Sequence, residues 1–211
     1  MNKNFYSATS LIFFINNKDL ILEFREKLLN LKKSEKTILD KLRIEKGLFH
    51  EAEYFKQLSK KYKKIKNIKS LKNLSRDEKI KKTNDAIRSG YELIYGGWLK
   101  SGDWIGELDF LEINNSIKSD LGNWSYEIID TKYTSKVKGD HVYQLCLYSF
   151  LLKEVQGILS KNFYIALKDG TKEKIKLNQV YESFLSQKFS FENFSKNELH
   201  KKVIENISYC S

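Results

Sequence analysis

The sequence predicts an α/β fold in which a mixed central sheet of about four to six strands is flanked by helices. Three stretches rich in aromatic and branched residues follow one another with polar turns between them: Tyr91 to Leu99, Trp104 to Ile113 and Trp124 to Tyr133. An apolar helical stretch then separates them from two further strand-like stretches. The chain has 211 residues, 41% of them hydrophobic, which suits a single domain with a sizeable core.

The N-terminal part, about 1–90, is expected to be helical. Ser7 is a suitable N-cap for a short apolar helix through Phe14. Two longer helices are expected at Lys18 to Leu31 and at Ser34 to Tyr62. The capping box Ser75-Arg-Asp-Glu78 should begin another helix that ends near Gly90.

The second long helix has a predicted apolar stripe formed by Leu48, Ala52 and Phe55, at spacings i, i+4 and i+7. His50 and Glu51 lie off this stripe and are therefore free to face elsewhere. On its own, His50 is an ordinary surface histidine, but imidazole is also a common metal ligand.

The core, about 91–178, contains the candidate chemistry. Side chains alternate along a strand, so Asp130 and Lys132 share one face while Glu127 lies on the other. Antiparallel pairing of the second and third strands brings Asp109 towards Asp130. Two carboxylates and an ammonium group suit a hard divalent cation and a phosphate. The alternative is a solvated ion pair between Asp130 and Lys132 that contributes little to stability.

Trp98 and Trp104 flank the turn between the first two core strands, and we interpret them as packing at a hairpin rather than stacking on bases. After the third core strand, Asp140 should cap a buried helix that ends near Gly157. Gln144 and Tyr148 share a face of that helix. Their polar groups need partners, which either a DNA phosphate or a hydrogen bond inside the core would supply.

The C-terminal third begins with two strands, Asn162 to Leu167 and Lys172 to Leu177, joined by a turn at Asp169-Gly170. The remaining residues are expected to be helical. Cys146 and Cys210 give no disulfide framework, which indicates a reducing, cytoplasmic setting. No apolar run approaches the roughly 20 residues of a membrane-spanning helix, so no membrane insertion is expected.

The formal net charge of +11 favours an anionic partner, either nucleic acid or an anionic membrane surface. Lysines are densest between Lys56 and Lys72, where no acidic residue interrupts them. This stretch is either a track for phosphates or a solvated helix end and loop whose charge aids solubility. The candidate DNA contacts within it are Lys60, Lys61, Lys63 and Lys64.

Four segments in a fixed order resemble the PD-(D/E)XK nuclease superfamily, in its RecB-like branch, which includes CRISPR-associated exonucleases. They are Gly47-Leu-Phe-His50-Glu51, Gly106-Glu-Leu-Asp109, Asp130-Thr-Lys132 and Gln144-Leu-Cys-Leu-Tyr148. The similarity extends weakly from Ser7 to about Gly170 and is greatest to uncharacterised RecB-like nucleases that are sometimes fused to helicases.

This resemblance implies a restriction-endonuclease-like core that hydrolyses DNA phosphodiester bonds with Mg²⁺ or Mn²⁺. Asp109, Asp130 and His50 would bind the metal, and Lys132 would be catalytic. Gln144 and Tyr148 would position DNA that is single-stranded or has free ends, and a helicase is a candidate partner.

Many RecB-like relatives carry an iron–sulfur cluster, with one thiolate supplied near the N-terminus. Here that position is occupied by Asn16-Asn17, and the whole chain has only two cysteines, whereas a cubane cluster takes four thiolates. We therefore expect no iron–sulfur cluster. The missing cysteines also leave an alternative, a non-catalytic DNA-binding or scaffolding module that keeps the nuclease fold without turnover.

Overall fold

The structure, a computed structural model, describes residues 5–29 and 36–210. It confirms the α/β class, with one mixed six-stranded sheet in the order β1-β2-β3-β4-β5-β6. The strands are β1 (Ile65–Asn67), β2 (Leu93–Ser101), β3 (Trp104–Asn114), β4 (Ser125–Lys132), β5 (Asn162–Leu167) and β6 (Lys172–Lys176). The pairs β1–β2 and β4–β5 are parallel, and the other neighbouring pairs are antiparallel.

Helices cover both faces of the sheet. They are α1 (Ala8–Leu29), α2 (Ile38–Ser59), α3 (Arg76–Arg88), α4 (Gly139–Gln156), α5 (Tyr181–Phe194) and α6 (Glu198–Cys210), with a short 3₁₀ helix at Leu177–Gln179. None of these helices, within the part of the chain described, combines the length and the hydropathy needed to cross a membrane.

Alternation along the strands sorts the core into two clusters. On one face Ile94, Leu111 and Ile128 join the larger cluster, to which α1, α3, α4, α5 and α6 contribute. On the other face Phe110 and Ile129 join a smaller cluster with side chains of α2. Among the helices of the described residues, only α2 contributes to this smaller cluster, so its register decides which of its residues reach the strands.

The N-terminal helices differ in detail from the prediction. The two helices expected at Ser7 to Phe14 and Lys18 to Leu31 form one element, α1, which kinks at Asn17, and the last two positions of the second prediction lie outside the described residues. The Asn17 side-chain amide donates to the Phe13 carbonyl oxygen at 2.9 Å, a local bond that competes with the helical pattern. The next helix begins after Thr37, which caps it together with Asp40.

The predicted capping box at Ser75 is confirmed, because the Glu78 carboxylate accepts the Ser75 backbone N–H at 2.8 Å and the Ser75 hydroxyl accepts the Glu78 N–H. The cap predicted for α4 is wrong. Lys138 occupies the N-cap position and Asp140 lies within the first turn, while the helix ends at Gly157 as expected.

The sequence prediction missed β1, which lies in the part expected to be helical. This strand has only three residues and pairs in parallel with the start of β2, Ile65 opposite Leu93. Just before it, the Glu92 carboxylate accepts the backbone N–H groups of Lys63 and Lys64, each at 2.7 Å. A strand this short is stabilised by contacts with a distant partner, so local composition does not reveal it.

Candidate active site

Asp109 and Asp130 lie side by side on two adjacent strands. In the antiparallel register of β3 and β4, Phe110 pairs with Ile129, and Asp109 and Asp130 are the next residues at the same level of the sheet. The backbone N–H and the hydroxyl of Thr131 both donate to Asp109 Oδ2, at 2.7 Å each. These bonds fix the Asp109 carboxylate beside Asp130, and both of them end on Oδ2.

Asp130 is only 2% exposed, and its Oδ2 lies 2.7 Å from Lys132 Nζ in an ion pair. Within the described ranges this buried oxygen has no partner that meets hydrogen-bond geometry, so its acceptor capacity is only partly used. Burial, and then the negative charge of Asp109, raise the pKa of Asp130 to about 7, although Lys132 opposes the shift.

Lys132 shares the face of Asp130, as the strand alternation predicted. Burial acts against its ammonium charge, but Asp130 and Asp109 outweigh burial and hold the pKa of Lys132 above its usual value. Lys132 therefore remains charged at neutral pH. It is a hydrogen-bond donor with no acceptor, placed where anionic groups gather.

Glu51 is a site residue to which the sequence analysis gave no role as a metal ligand. It is buried on α2, forms an ion pair with Lys69, and its pKa is raised by burial and by the charge of Asp109. The stripe predicted for this helix is wrong at two positions, because Leu48 and Ala52 are exposed. The buried positions of α2 are Glu51 and Leu58, which lie two turns apart on the same side.

Lys69 reaches Glu51 because of a glycine in β2. Gly96 has φ +69°, and a Cβ built on it would lie 2.5 Å from Lys69 Cβ. Its neighbours Tyr95 and Gly97 pair with Phe110 and Leu108, which sets Gly96 beside Asp109. A glycine inside a strand is a sequence signal for a close approach, and it could have indicated this contact.

His50, on α2, contacts β5, the strand next to β4. Its Nε2 is 3.2 Å from the carbonyl oxygen of Ala166 on β5, and its ring packs edge-on against Tyr133, with 6.0 Å between ring centroids. One ring nitrogen thus has a backbone partner, and a metal-ligand role for His50 stays a prediction. In residues 5–29 and 36–210, no three His, Cys, Asp or Glu side chains are grouped closely enough to hold a metal ion as they stand.

Gln144 and Tyr148 share a face of α4, as predicted, and are bonded to each other. The Gln144 amide donates to the Tyr148 hydroxyl oxygen at 2.9 Å. Burial, followed by the charge of Asp130, raises the pKa of Tyr148, so its hydroxyl stays protonated. A Cβ on Gly106 would lie 2.6 Å from the Tyr148 ring, so only glycine lets this ring pack against β3.

The basic stretch is divided by β1. Its first part precedes this three-residue strand, which is about 10 Å long, and Lys69 follows it. The Lys64 ammonium already donates to the Ser89 carbonyl and lies 5.0 Å from the centre of the Tyr91 ring. The side chains that the sequence nominated for DNA contact are all exposed: Lys60, Lys61, Lys63 and Lys64.

The charges around the carboxylates favour a cation. Three carboxylates, those of Glu51, Asp109 and Asp130, face two ammonium groups, those of Lys69 and Lys132. When all three carboxylates are ionised, three negative charges face two positive ones and leave an excess of one negative charge, which favours a cation that neutralises it. The carboxylate ligands are hard oxygens, and Asp130 Oδ2 has unused acceptor capacity, so these three residues fit Mg²⁺ or Mn²⁺.

Cys146 is buried, and burial raises the pKa of its thiol to about 12, which makes the thiolate scarce at neutral pH. The side chain of Cys210 lies outside the part of the chain that is described. The expected lack of an iron–sulfur cluster therefore stays a prediction.

In comparisons with known proteins, no protein-family model matches the chain, and neither does any curated protein.

Proposed function

We propose that this protein is a metal-dependent nuclease that hydrolyses DNA phosphodiester bonds, in DNA repair, recombination or defence. One observation is the main support: Asp109 and Asp130 lie at the same level of adjacent strands, with Lys132 2.7 Å from Asp130 on the same face. The order of the motifs along the chain adds the resemblance to RecB-like PD-(D/E)XK nucleases.

In this proposal Asp109 and Asp130 hold Mg²⁺ or Mn²⁺, with Glu51 as a third carboxylate and His50 as a further candidate ligand. When bound, such an ion polarises a phosphoryl oxygen and lowers the pKa of a coordinated water. Thr131 keeps the Asp109 carboxylate in place through its two hydrogen bonds.

Lys132 has a separate role, because an ammonium group donates hydrogen bonds but cannot bind a cation. It stabilises the negative charge that develops on the phosphoryl oxygens, or it orients the attacking water. Gln144 and Tyr148 extend from this site along α4 and position the DNA strand. The net charge of +11 supports an anionic polymer as substrate.

A DNA-binding or scaffolding module without turnover is the second candidate. It is favoured by the contact between Lys132 and Asp130, since an ammonium group already neutralises part of the carboxylate charge without any metal. This candidate predicts DNA binding that is indifferent to divalent cations.

A gel assay separates the two. End-labelled single-stranded and double-stranded DNA are incubated with the protein and Mg²⁺ or Mn²⁺, and parallel reactions contain a chelator. Cleavage that requires the cation supports the nuclease, and the ladder of products distinguishes cutting from an end from internal cutting. Binding with no cleavage of either substrate would favour the scaffold.

A further inference from the structure

A cavity of about 380 Å³ adjoins the candidate active site on the α4 side of the sheet. Gln144 and Tyr148 form the wall nearest the carboxylates, Gly106 and Glu107 of β3 form the floor, and the first turn of α1 closes the opposite side. The volume is at the lower end of the roughly 300 to 1,000 Å³ of small-ligand sites. That size suits one nucleotide rather than a base pair.

The cavity contains an aromatic ring with a cation over one of its two faces. Trp98 and Arg76 both line it, and the Arg76 guanidinium carbon lies 5.5 Å from the centre of the indole ring. Trp98 is half-buried, whereas Trp104 at the other end of the same turn is buried and donates to Glu192 at 2.8 Å. The sequence analysis gave both tryptophans the same packing role, but in the structure only the Trp98 ring of the two is accessible to a ligand in this cavity.

The lining combines an aromatic ring, a carboxylate and a guanidinium group, which can contact the base and the phosphate of a nucleotide. Trp98 pairs across the sheet with Glu107, so an aromatic ring and a carboxylate lie side by side on one face of the sheet. The carboxylate accepts hydrogen bonds from base N–H groups, the ring stacks on a base, and Arg76 attracts a phosphate. An inorganic anion alone would not use the ring, and a hydrocarbon would leave the charges without partners.

We propose that this cavity binds one unpaired base of single-stranded DNA, stacked on Trp98, while the adjoining phosphate extends past Gln144 and Tyr148 to the carboxylates. The proposal rests on the proposed nuclease function for the identity of the strand, and it gives that site a substrate class, a strand with at least one unpaired base. Every base can stack on an aromatic ring, so we expect the cavity to prefer unpaired over paired DNA and to show little preference for base sequence.

The test measures binding without turnover, so that it is independent of catalysis. Fluorescence anisotropy in the presence of a chelator compares a labelled oligothymidylate with an abasic oligomer of the same length, which has the same phosphates and no bases. The wild-type protein should bind the oligothymidylate at least about fivefold more tightly than the abasic oligomer. Trp98→Leu should remove that preference and leave binding of the abasic oligomer unchanged.

Two controls match the variants. Phe189→Leu removes an exposed aromatic ring that does not line the cavity, and Arg88→Gln removes a charge from the far end of the helix that begins at Arg76. Both should keep the wild-type preference. Glu107→Ala should reduce it, because this carboxylate accepts a hydrogen bond from the base and makes no contact with the phosphate, so this variant tests the proposal if Trp98→Leu does not fold. Arg76→Gln should weaken the binding of both oligomers, since they carry the same phosphates.

An equal affinity of the wild type for the two oligomers, or an unchanged preference in both Trp98→Leu and Glu107→Ala, would overturn the cavity proposal. Neither result bears on metal-dependent cleavage, which the gel assay measures separately. Conversely, a protein that never cleaves DNA but loses its base preference in these variants would support the cavity and refute the nuclease.

Discussion

Thr131 holds Asp109 through two hydrogen bonds that end on the same carboxylate oxygen, one from its backbone N–H and one from its hydroxyl, each 2.7 Å long. The residue between Asp130 and Lys132 thus ties the two strands together at the site. It has a positioning role that the Asp-x-Lys spacing alone does not indicate.

Thr131→Val should therefore lower cleavage without altering the fold. Valine has a similar shape and keeps the backbone donor but removes the hydroxyl, and loss of a group that orients a metal ligand typically costs about 10- to 100-fold in metal affinity or activity. We expect the lower part of that range, measured as initial rates across Mg²⁺ concentrations. Thr134→Val is the control, since the Thr134 hydroxyl donates to the Lys136 carbonyl instead. Equal rates for the two variants would contradict the positioning role.

Replacing either of the paired aspartates should abolish cleavage. Asp109→Asn and Asp130→Asn keep the size of the side chain but remove a negative charge, so a hard cation loses a ligand. Calorimetry should show weaker Mg²⁺ or Mn²⁺ binding, and the gel assay should show no product. Glu51→Gln should weaken metal binding too, and more than His50→Gln, because His50 Nε2 faces a backbone carbonyl. Wild-type cleavage by either aspartate variant would refute the assignment, and Asp169→Asn, an exposed carboxylate, is the control.

Lys132→Met should lose turnover, by about 10²- to 10³-fold if the ammonium stabilises developing charge, while metal binding is retained. The ion pair with buried Asp130 makes a stability effect a competing explanation. Lys132→Arg separates the two, because it keeps the positive charge but not the compact ammonium geometry. Loss of cleavage in a stable Lys132→Arg protein indicates a role in chemistry, whereas full activity would reduce Lys132 to a structural cation. Thermal unfolding of both variants provides the stability measurement.

The exposed lysines before β1 should contribute to DNA affinity through charge alone. Changing Lys60, Lys61, Lys63 and Lys64 to glutamine should flatten the slope of log affinity against log salt by roughly 0.7 to 0.9 per lost phosphate contact. Lys64 should contribute least, because its ammonium already donates to the Ser89 carbonyl. The matched control removes four exposed lysines around β5 and β6: Lys161, Lys168, Lys174 and Lys176. Identical slopes for the wild type and the first variant would show that those lysines are only solvated.

His141 should remain neutral well below the usual range for histidine. Burial and the nearby charge of Lys132 lower the pKa of His141 to about 4, and its Nδ1 accepts the Lys138 N–H at 3.2 Å, a bond that protonation would break. In the unfolded chain the pKa of this histidine is about 6.5, so the unfolded state takes up the proton first as the pH falls. The contribution of His141 to stability is therefore full above about pH 6.5 and is lost as the pH falls towards 4.

NMR titration of the histidine ring signals measures this pKa directly, and His141→Gln should reduce the loss of stability between these pH values in denaturant unfolding. A His141 ring that titrates near 6.5 would contradict the prediction.

The sequence alone determined the parts of the site that depend on local periodicity. Alternation along β4 placed Asp130 and Lys132 on one face and Glu127 on the other, where Asn162 and Tyr164 donate to the Glu127 carboxylate. The four-residue spacing in α4 likewise brought Gln144 and Tyr148 together. These relationships follow from the two- and 3.6-residue repeats of regular backbone, so they are independent of what packs against the element.

Only the tertiary structure decided which side of α2 faces the sheet. The apolar stripe favoured Leu48, which is exposed, whereas Glu51 is buried because Lys69, beyond the end of the helix, supplies the opposite charge. Burying a carboxylate costs free energy unless such a partner is present, and the partner here reaches it over Gly96. A helix pattern cannot anticipate a compensating charge supplied by another segment, and this is why only the structure revealed that Glu51 is buried.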